Sequence, residues 1–411
     1  MAKTVLDGIK VADFSWVAAG PQIGRELAAN GATVVRIESH RRPDLIRMST
    51  PFKDGRPGWN RGAFYASVNT NKYGITIDLT RPKGKVVAER LVKWADVVLE
   101  SLQPGAMAKL GLAHDTCLLM NPSLVYCSTS MLGQWGPHGS FIGTGFHTNA
   151  LAGFCQCTGW PDSGPTLLGT QYSDYVAPWY AVLAIVAALA KRRETGRGMY
   201  IEQSQLEAGL TMMGLHLLDY GANGHVVGRI GNRDRYMCPH GVYPCREGRW
   251  VAVAVANDEQ WAAFCHVLGD PAWTRDGNFQ TVLLRKQNED ELDRLIGEWT
   301  RDFTAEEVMT MLQNAGIAAG AVQRGQELLQ DPQFKHREHY QVLKHPEMGP
   351  HSYNAPAYRL SRTPWKMTRP APCMGEHNML VLKEMLGFSE DDVADMLAEG
   401  AITTDADLFA I

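Results

Sequence analysis

Several patterns that commonly define a function are missing from this chain of 411 residues. It has no GxxxxGK(S/T), HExxH, GxSxG or GxGxxG motif, so ATP-driven ligation, zinc hydrolysis, serine-esterase chemistry and nicotinamide redox chemistry lose their usual support. The 8 cysteines include no CxxC pair and no cysteine and histidine spacing of a zinc site. We therefore expect reduced, mostly structural cysteines and no bound metal.

Charge of one sign and long apolar runs are also scarce. The 40 Lys and Arg nearly balance the 44 Asp and Glu, without a long run of either sign, so we expect no binding of nucleic acid or of a membrane surface. The first residues lack the apolar core of a signal peptide. The longest apolar run, residues 175–190, is shorter than the roughly 20 residues of a membrane span. These absences predict a globular cytoplasmic protein.

The N-terminal sequence has the alternation of a βαβ unit. A strand is expected at Ile9–Phe14, a helix at Pro21–Asn30 and a second strand at Thr33–Ile37. This order predicts a parallel sheet. The connecting loop, Trp16–Pro21, carries small residues where the backbone can approach a ligand, and it leads into a helix N-terminus.

Further along the chain the pattern first continues and then changes. A helix at 82–94 and strands at 97–100 and 124–128 extend a doubly wound α/β pattern. Sequence rich in Gly and Arg at 221–241 is the predicted linker, and residues 242–329 have the hairpin and helix signals of a smaller α/β domain. Near the C-terminus, helices are expected at 376–386 and 389–398.

Asp174 stands alone between a turn-rich stretch, residues 164–173, and the apolar run that follows it. A carboxylate at the N-terminal end of a buried helix is stabilised by free amides but partly stripped of water, and in that state it can attack carbonyls. Simple helix capping is the alternative interpretation. An Asp that attacks an acyl thioester forms a mixed anhydride, through which acyl and CoA groups can be exchanged without ATP.

Motifs spread over nearly the whole chain resemble those of one family, the class III CoA-transferases, also called the CaiB–BaiF family. They are Leu6–Phe14, Ala19–Pro21, Gly31–Glu38, Asn71–Lys72, Asp78–Leu79, Ala95–Asp96, Glu100, Pro104–Gly105, Lys109–Gly111, Asn121–Pro122, Gly133–Pro137, Thr195–Gly198, Gly231–Asn232 and Gly375–His377.

This resemblance implies a fold, an assembly and a nucleophile. The fold is α/β, with a large Rossmann-like CoA-binding domain built from residues 1–220 and 330–411 and with the smaller α/β domain between them. The assembly is an interlocked dimer, either a homodimer or a heteromer with a related subunit. Asp174 is implied as the nucleophile that carries acyl and then CoA as covalent intermediates.

The resemblance also implies how the co-substrate, a coenzyme A thioester, is bound, without any tightly bound cofactor. Ile77 is expected near the adenine and Lys109 at a phosphate, where a lysine acts as a point charge. Further expected CoA-binding residues are Val17, Ala18, Ser101 and Leu102, with Arg36, Arg42 and Arg81 at the remaining phosphates.

The sequence departs from the family pattern at two places near the expected site. Many members have an acidic residue in the stretch 144–149, which has none here, and Gln103 stands where an Arg is common. His147 can therefore be expected to take over acid–base chemistry or contact with a substrate carboxylate, the alternative being a structural loop histidine. The expected substrate-binding residues are Trp16, Gln134, His147 and Tyr172.

Within the family, three segments look most like the branch that activates benzylsuccinate-type dicarboxylates with succinyl-CoA. They are Gln171–Asp174, Gly231–Asp234 and Pro239–Cys245. The partners expected from this are an acyl-CoA and a small carboxylic acid, whose second carboxylate Arg233 or Arg235 can bind.

Two other functions remain open from the sequence. An α-methylacyl-CoA racemase shares the fold and would use Asp174 with His147 to move a proton. The segment after Asp174 lacks the glycine run typical of such racemases. The second alternative is a CoA-binding partner subunit without catalytic activity, against which the intact Asp174 argues.

Overall fold

The computed structural model describes residues 3–403, which form two compact units. The first contains the described parts of Met1–Phe154, Leu167–Val226 and Lys335–Ile411, and the second contains Cys155–Thr166 and Val227–Phe334. The predicted linker at 221–241 and small domain at 242–329 differ from this division. Residues 155–166 join the second unit because they bond to its start: Gly231 N donates to Gly159 O at 2.9 Å, and Arg229 Nε donates to Ser163 O at 3.1 Å.

A six-stranded parallel sheet is the centre of the first unit, as predicted. Its order is β3-β2-β1-β4-β5-β6, so the strand order reverses between β1 and β4, where the carboxyl ends of the strands open a crevice. The strands are β1 (Lys10–Asp13), β2 (Thr33–Glu38), β3 (Tyr73–Thr76), β4 (Val97–Glu100), β5 (Val125–Ser130) and β6 (Met199–Ser204).

Helices connect these strands and cover both faces of the sheet. In chain order they are α1 (Ala19–Ala29), α2 (Ala63–Val68), α3 (Pro82–Trp94), α4 (Ala106–Lys109), α5 (His114–Met120), α6 (Gly145–Leu151), α7 (Phe154–Cys157), α8 (Tyr172–Thr195), α9 (Gln205–Met212) and α10 (Gly214–Asn223).

The second unit has an antiparallel three-stranded sheet and a separate apolar core. The predicted hairpin is present, with Val242 opposite Ala252, and it turns at Arg246–Gly248. The elements are β7 (His240–Pro244), β8 (Trp250–Ala254), α11 (Asp258–Val267), α12 (Val282–Gln287), α13 (Glu289–Thr300), α14 (Ala305–Asn314), β9 (Ala318–Ala321), α15 (Gly325–Leu328) and α16 (Pro332–His336).

The C-terminal part of the first unit differs from the sequence prediction at two points. Residues 340–354, for which the sequence predicts no element, form a hairpin of β10 (Tyr340–His345) and β11 (Gly349–Asn354). The helix expected at 376–386 is a π-helical turn at Leu380–Met385, followed by α17 (Glu390–Ala398). Val381 and Leu382 pack into the same apolar cluster as Val87 and Leu91 of α3, which places this segment on the α3 face of the sheet.

Helix α8 covers the opposite face. Ala181, Ile185 and Ala188 of α8 pack in one cluster with Val97 and Val125 of the sheet. By length and composition alone, α8 is apolar enough to cross a membrane, with 44% of its most apolar 18-residue window buried. A core helix of a soluble protein passes the same test, and the packing of α8 on the sheet is that of a core helix.

Candidate active site at the carboxyl ends of the parallel strands

A cavity of about 530 Å³ lies in the first unit where the carboxyl ends of β1, β4 and β5 meet. This is the position at which doubly wound sheets bind ligands, because the loops diverge where the strand order reverses. Its lining residues come mostly from the loops after these strands and from the starts of α6 and α8, while Leu45 follows β2, Phe64 lies in α2 and Gln205 begins α9. They are Trp16, Val17, Ala18, Ala19, Leu45, Phe64, Ser101, Leu102, Gln103, Pro104, Ser130, Met131, Leu132, Gly139, Phe141, Ile142, Gly143, Thr144, Gly145, Phe146, Gln171, Asp174 and Gln205.

The loops after β1 and β4 are held together at this crevice. Ser101 Oγ accepts a hydrogen bond from Trp16 N at 2.9 Å and donates one to Trp16 O, also at 2.9 Å. Gly20 permits this approach, because a Cβ there would lie 2.4 Å from Ser15 Cβ and 2.8 Å from Ser101 Oγ. The two walls of the cavity are therefore fixed relative to each other.

Asp174 is the one charged residue among the described residues that line the cavity. It lies in the first turn of α8 and is only 8% exposed. Burial raises the pKa of its carboxyl group to about 6, and no hydrogen bond or nearby cation offsets this effect among the residues that the structure describes. The helix cap is Gln171 rather than Asp174, so capping does not account for this carboxylate.

Gly145 leaves room for the Asp174 carboxylate. A Cβ at position 145 would lie 2.4 Å from Asp174 Oδ2 and 2.5 Å from Gln171 Cβ. Gly145 is itself buried at the first position of α6. Every other amino acid at this position would therefore displace the carboxylate.

The remaining polar groups of the cavity are neutral. Ser130, at the end of β5, is 6% exposed, and its hydroxyl has no hydrogen-bond partner among the described residues. A buried hydroxyl without a partner is unfavourable, and a bound molecule can supply the missing bond. Gln103, Thr144, Gln171 and Gln205 add further donors and acceptors to an otherwise apolar lining.

Six of the residues expected from the sequence line this cavity together: Trp16, Val17, Ala18, Ser101, Leu102 and Asp174. Each follows a parallel strand or begins a helix.

One expected CoA-binding residue, Arg36, is corrected by the structure, and a second, Ile77, has a buried side chain. Arg36 is fully buried, donates to Ser15 O at 2.6 Å and pairs with Asp44 at 2.5 Å, so its guanidinium is not available to a phosphate. Ile77 is 1% exposed and its side chain packs in the apolar core beside α3, so its expected place near the adenine stays a prediction.

Three other expected phosphate partners lie outside the cavity lining. Arg42 and Lys109 are exposed, and Lys109 ends the short helix α4, whose cap Gly105 has a φ of +80°. Arg81 is partly exposed and lies 3.8 Å from Asp78. Their roles at the phosphates stay predictions.

The structure does not bring His147, Gln134 or Tyr172 into the cavity wall. His147 is exposed, and its Nδ1 accepts a hydrogen bond from Thr144 N at 3.1 Å, as part of the cap of α6. Gln134 N donates to Glu202 Oε1 at 2.6 Å, whereas Tyr172 is 39% exposed with its ring edge-on to Phe154. The racemase interpretation loses its basis, because it requires His147 to face the cavity beside Asp174.

Three further residues that shape the cavity were not among those expected from the sequence. Leu45 and Phe64 line it, and the buried Asp44 accepts hydrogen bonds from the Val17 amide. No local motif marks these three residues. Asp13 and Lys72 form a buried ion pair beside the β1 loop. Here the sequence does give a sign, because Asp13 is a charged residue at the end of an apolar strand.

No group of three or more His, Cys, Asp or Glu side chains that could hold a metal occurs in residues 3–403. The expected absence of a metal stays a prediction.

Comparison with known proteins identifies the family of this chain. The sequence model of CoA-transferase family III matches residues 6–378. The chain belongs to this family. The transferase is similar over most of its length to a CaiB/BaiF family protein from Brucella suis, with 28% identity, a TM-score of 0.86 and coverage of 93% of this chain and 100% of that one.

Three relatives are named CoA-transferases. The transferase is 31% identical to succinyl-CoA–D-citramalate CoA-transferase of Chloroflexus aurantiacus, over 97% of this chain and 98% of the relative. It is 32% identical to succinate–glutarate CoA-transferase of Agrobacterium fabrum, over 93% of this chain and 96% of the relative. It is 27% identical to the succinyl-CoA–L-malate CoA-transferase beta subunit of C. aurantiacus, over 97% of this chain and 98% of the relative. The protein is thus a family III CoA-transferase, which uses a CoA thioester as co-substrate.

Proposed function

We propose that the transferase moves CoA from succinyl-CoA to an aromatic succinate such as benzylsuccinate, through covalent intermediates on Asp174. The observation that carries the role of Asp174 in this proposal is a single poorly solvated carboxylate in an otherwise uncharged cavity. With a pKa of about 6, Asp174 is mostly ionised at neutral pH, yet it has little water to shield its oxygens.

The chemistry proceeds in four balanced steps. An Asp174 oxygen attacks the thioester carbonyl of the donor, the C–S bond breaks, and CoA thiolate leaves a mixed anhydride. The thiolate then attacks the Asp174 carbonyl carbon, releases the donor carboxylate and forms an aspartyl-CoA thioester. The acceptor carboxylate attacks this thioester and expels the thiolate, which finally attacks the acceptor carbonyl. The products are acceptor-CoA and free Asp174, and no ATP is consumed.

The apolar lining supports an aromatic group in the acceptor. Trp16, Phe64 and Phe146 contribute rings to the cavity, and Leu45 and Met131 add aliphatic surface. Burying an aromatic ring against such surface is favourable, whereas a short dicarboxylate gains little from it. Succinyl-CoA as the donor is supported by the names of the relatives from C. aurantiacus.

The second carboxylate of the acceptor meets neutral donors in this cavity. The unpartnered hydroxyl of Ser130 and the amide of Gln205 are the candidates. Arg233, which the sequence suggested for this role, is held in the second unit by Glu289 at 3.5 Å and Asp293 at 3.2 Å, and by Asp290. Its charge is therefore already compensated.

A panel of acceptors tests this proposal. With succinyl-CoA as donor, we expect kcat/KM for benzylsuccinate to exceed that for glutarate and D-citramalate by at least about tenfold, the scale of an apolar contact. The variant Phe146→Ala should reduce this preference, whereas Trp135→Ala, at an exposed tryptophan outside the cavity lining, should leave it unchanged. A preference for glutarate or citramalate would overturn the aromatic acceptor but leave the role of Asp174 intact.

Self-association belongs to the same proposal. Helix α8 exposes one apolar stripe, Tyr175, Trp179, Leu183 and Val186, which are 38%, 44%, 69% and 40% exposed. Apolar stripes of this kind mark interfaces between subunits. A homodimer would bury this stripe between two copies of α8. A heteromer with a related subunit is the alternative, because one relative is named as a beta subunit. The cytoplasmic location stays a prediction.

A further inference from the structure

The backbone of Val17 adopts a conformation that its side chain disfavours. Its φ is +64°, in the left-handed region, where a β-branched residue is a true outlier. Val17 also lines the cavity and is 46% exposed. A strained residue at a ligand site persists only when surrounding contacts hold it in place.

Asp44 makes the contacts that hold it. Its side chain is completely buried, and Val17 N donates to both carboxylate oxygens, at 3.1 Å to Oδ1 and 3.0 Å to Oδ2. Asp44 Oδ1 also accepts a hydrogen bond from Ile46 N at 3.2 Å and so caps the short 3₁₀ turn Leu45–Met48. Leu45, the first residue of this turn, lines the same cavity.

Arg36 keeps the charge of Asp44 in place. The Arg36 guanidinium pairs with Asp44 Oδ2 at 2.5 Å and donates to Ser15 O at 2.6 Å, two residues before Val17. Both side chains are fully buried, so the Asp44 carboxylate depends on this pairing, whereas the Arg36 guanidinium also lies 3.6 Å from Glu38. The buried arginine that the sequence suggested for a phosphate thus belongs to the support of the Val17 loop.

We propose that Asp44 is a positioning residue for the CoA thioester, because it holds the Val17 peptide in its left-handed conformation and thereby shapes the cavity wall. This inference rests on the proposed use of the cavity for CoA. Asp44 contacts the loop and no reacting atom, so its effect falls on CoA binding more than on the chemical step. It ties the β1 loop and the Leu45 turn to one buried carboxylate.

The test compares the single variants Asp44→Ala and Asp44→Asn with the double variants in which each is combined with Val17→Gly. We expect Asp44→Ala to raise the Kd of CoA, measured by calorimetry, and the KM of the acyl-CoA donor by at least about fivefold, with a smaller change in kcat. Asp44→Asn keeps one acceptor for Val17 N and should show a smaller effect. Glycine adopts positive φ without a steric cost, so Val17→Gly should restore much of the affinity lost in Asp44→Ala.

If Asp44→Ala does not fold, the melting temperature of the single variant Val17→Gly still tests the inference. Val17→Gly in the native background should raise the melting temperature, because it removes the strain at φ +64°. Val226→Gly, at a residue that is 70% exposed and lacks positive φ, is the matched control and should not raise it.

Two results overturn the inference. One is equal affinity for CoA in the native protein and the folded Asp44 variants, and the other is a lower melting temperature for Val17→Gly than for Val226→Gly. A native protein that does not bind CoA would instead overturn the assignment of the cavity, and this inference with it. Comparing native and variant affinities therefore separates the two failures.

Discussion

At the scale of single residues, Asp174 combines a reactive position with a cost in stability. Burial raises its pKa to about 6, above the ordinary 3.8 of an aspartate, so the folded protein binds the Asp174 proton more tightly than the unfolded chain does. The free energy that this tighter proton binding adds to folding is fully present below the unfolded pKa of 3.8. It is lost as the pH rises through about 6. At neutral pH, the ionised nucleophile therefore destabilises the fold.

Asp174→Asn should consequently raise the melting temperature at pH 8, by the equivalent of about 1–3 kcal/mol, while abolishing transfer. The difference from the native protein should shrink as the pH falls and vanish near pH 4, where both side chains are neutral. Melting curves of both proteins between pH 4 and 8 measure this effect. Asp302→Asn, at an exposed aspartate, is the control and should show no such trend. Equal stability of native protein and Asp174→Asn at pH 8 would contradict the account.

At the scale of elements, a buried ion pair joins β1, α1 and the segment before β3. Lys72 Nζ donates to Asp13 Oδ2 at 2.8 Å, to Pro21 O at 2.8 Å and to Asn69 Oδ1 at 3.0 Å, and both charged side chains are fully buried. Gly24 of α1 lies against the pair, since a Cβ there would be 2.6 Å from Asp13 Oδ2. The first helix and the cavity loop that precedes it are therefore anchored on this pair.

Lys72→Met should destabilise the first unit by about 3–5 kcal/mol, because it leaves Asp13 buried without a counter-charge. Adding Asp13→Asn should recover part of the loss, since the uncompensated charge is then removed. Melting temperatures of the two single variants and the double variant measure this coupling. Lys191→Met, at an exposed lysine on α8, should change stability by less than about 0.5 kcal/mol. Additive effects at positions 13 and 72 would be evidence against the anchoring role.

The elements also show what the sequence could and could not predict. The alternation of β1, α1 and β2 is local and predicted the parallel sheet, and the position of Asp174 before α8 predicted the candidate nucleophile. Arg36 was wrongly expected at a CoA phosphate. Its burial depends on pairing with Asp44, and no local sequence pattern identifies that partner. His147 was likewise expected in the site because of the residues near it in the sequence. Its ring is instead oriented by the hydrogen bond from Thr144 N in the cap of α6.

At the scale of the whole molecule, the exposed apolar stripe of α8 predicts association in solution. Leu183→Asp places a charge in the middle of this stripe, where leucine is 69% exposed. We expect the native protein to elute with at least twice the mass of one chain in size-exclusion chromatography with light scattering, and Leu183→Asp to shift it toward the monomer. Leu119→Asp, at an exposed leucine of α5, should leave the mass unchanged. A monomeric native protein at micromolar concentration would be inconsistent with this interface.

The central claim is that Asp174 carries the transferred group, and mass spectrometry of the peptide that contains it is the most direct test. After incubation with succinyl-CoA, we expect a CoA adduct on Asp174, or a hydroxamate when hydroxylamine is added, and neither in Asp174→Ala. Gly145→Ala should also suppress the adduct, because the new Cβ would lie 2.4 Å from Asp174 Oδ2 and displace the carboxylate. Transfer activity that survives in Asp174→Ala, or an adduct on a different residue, would contradict the account.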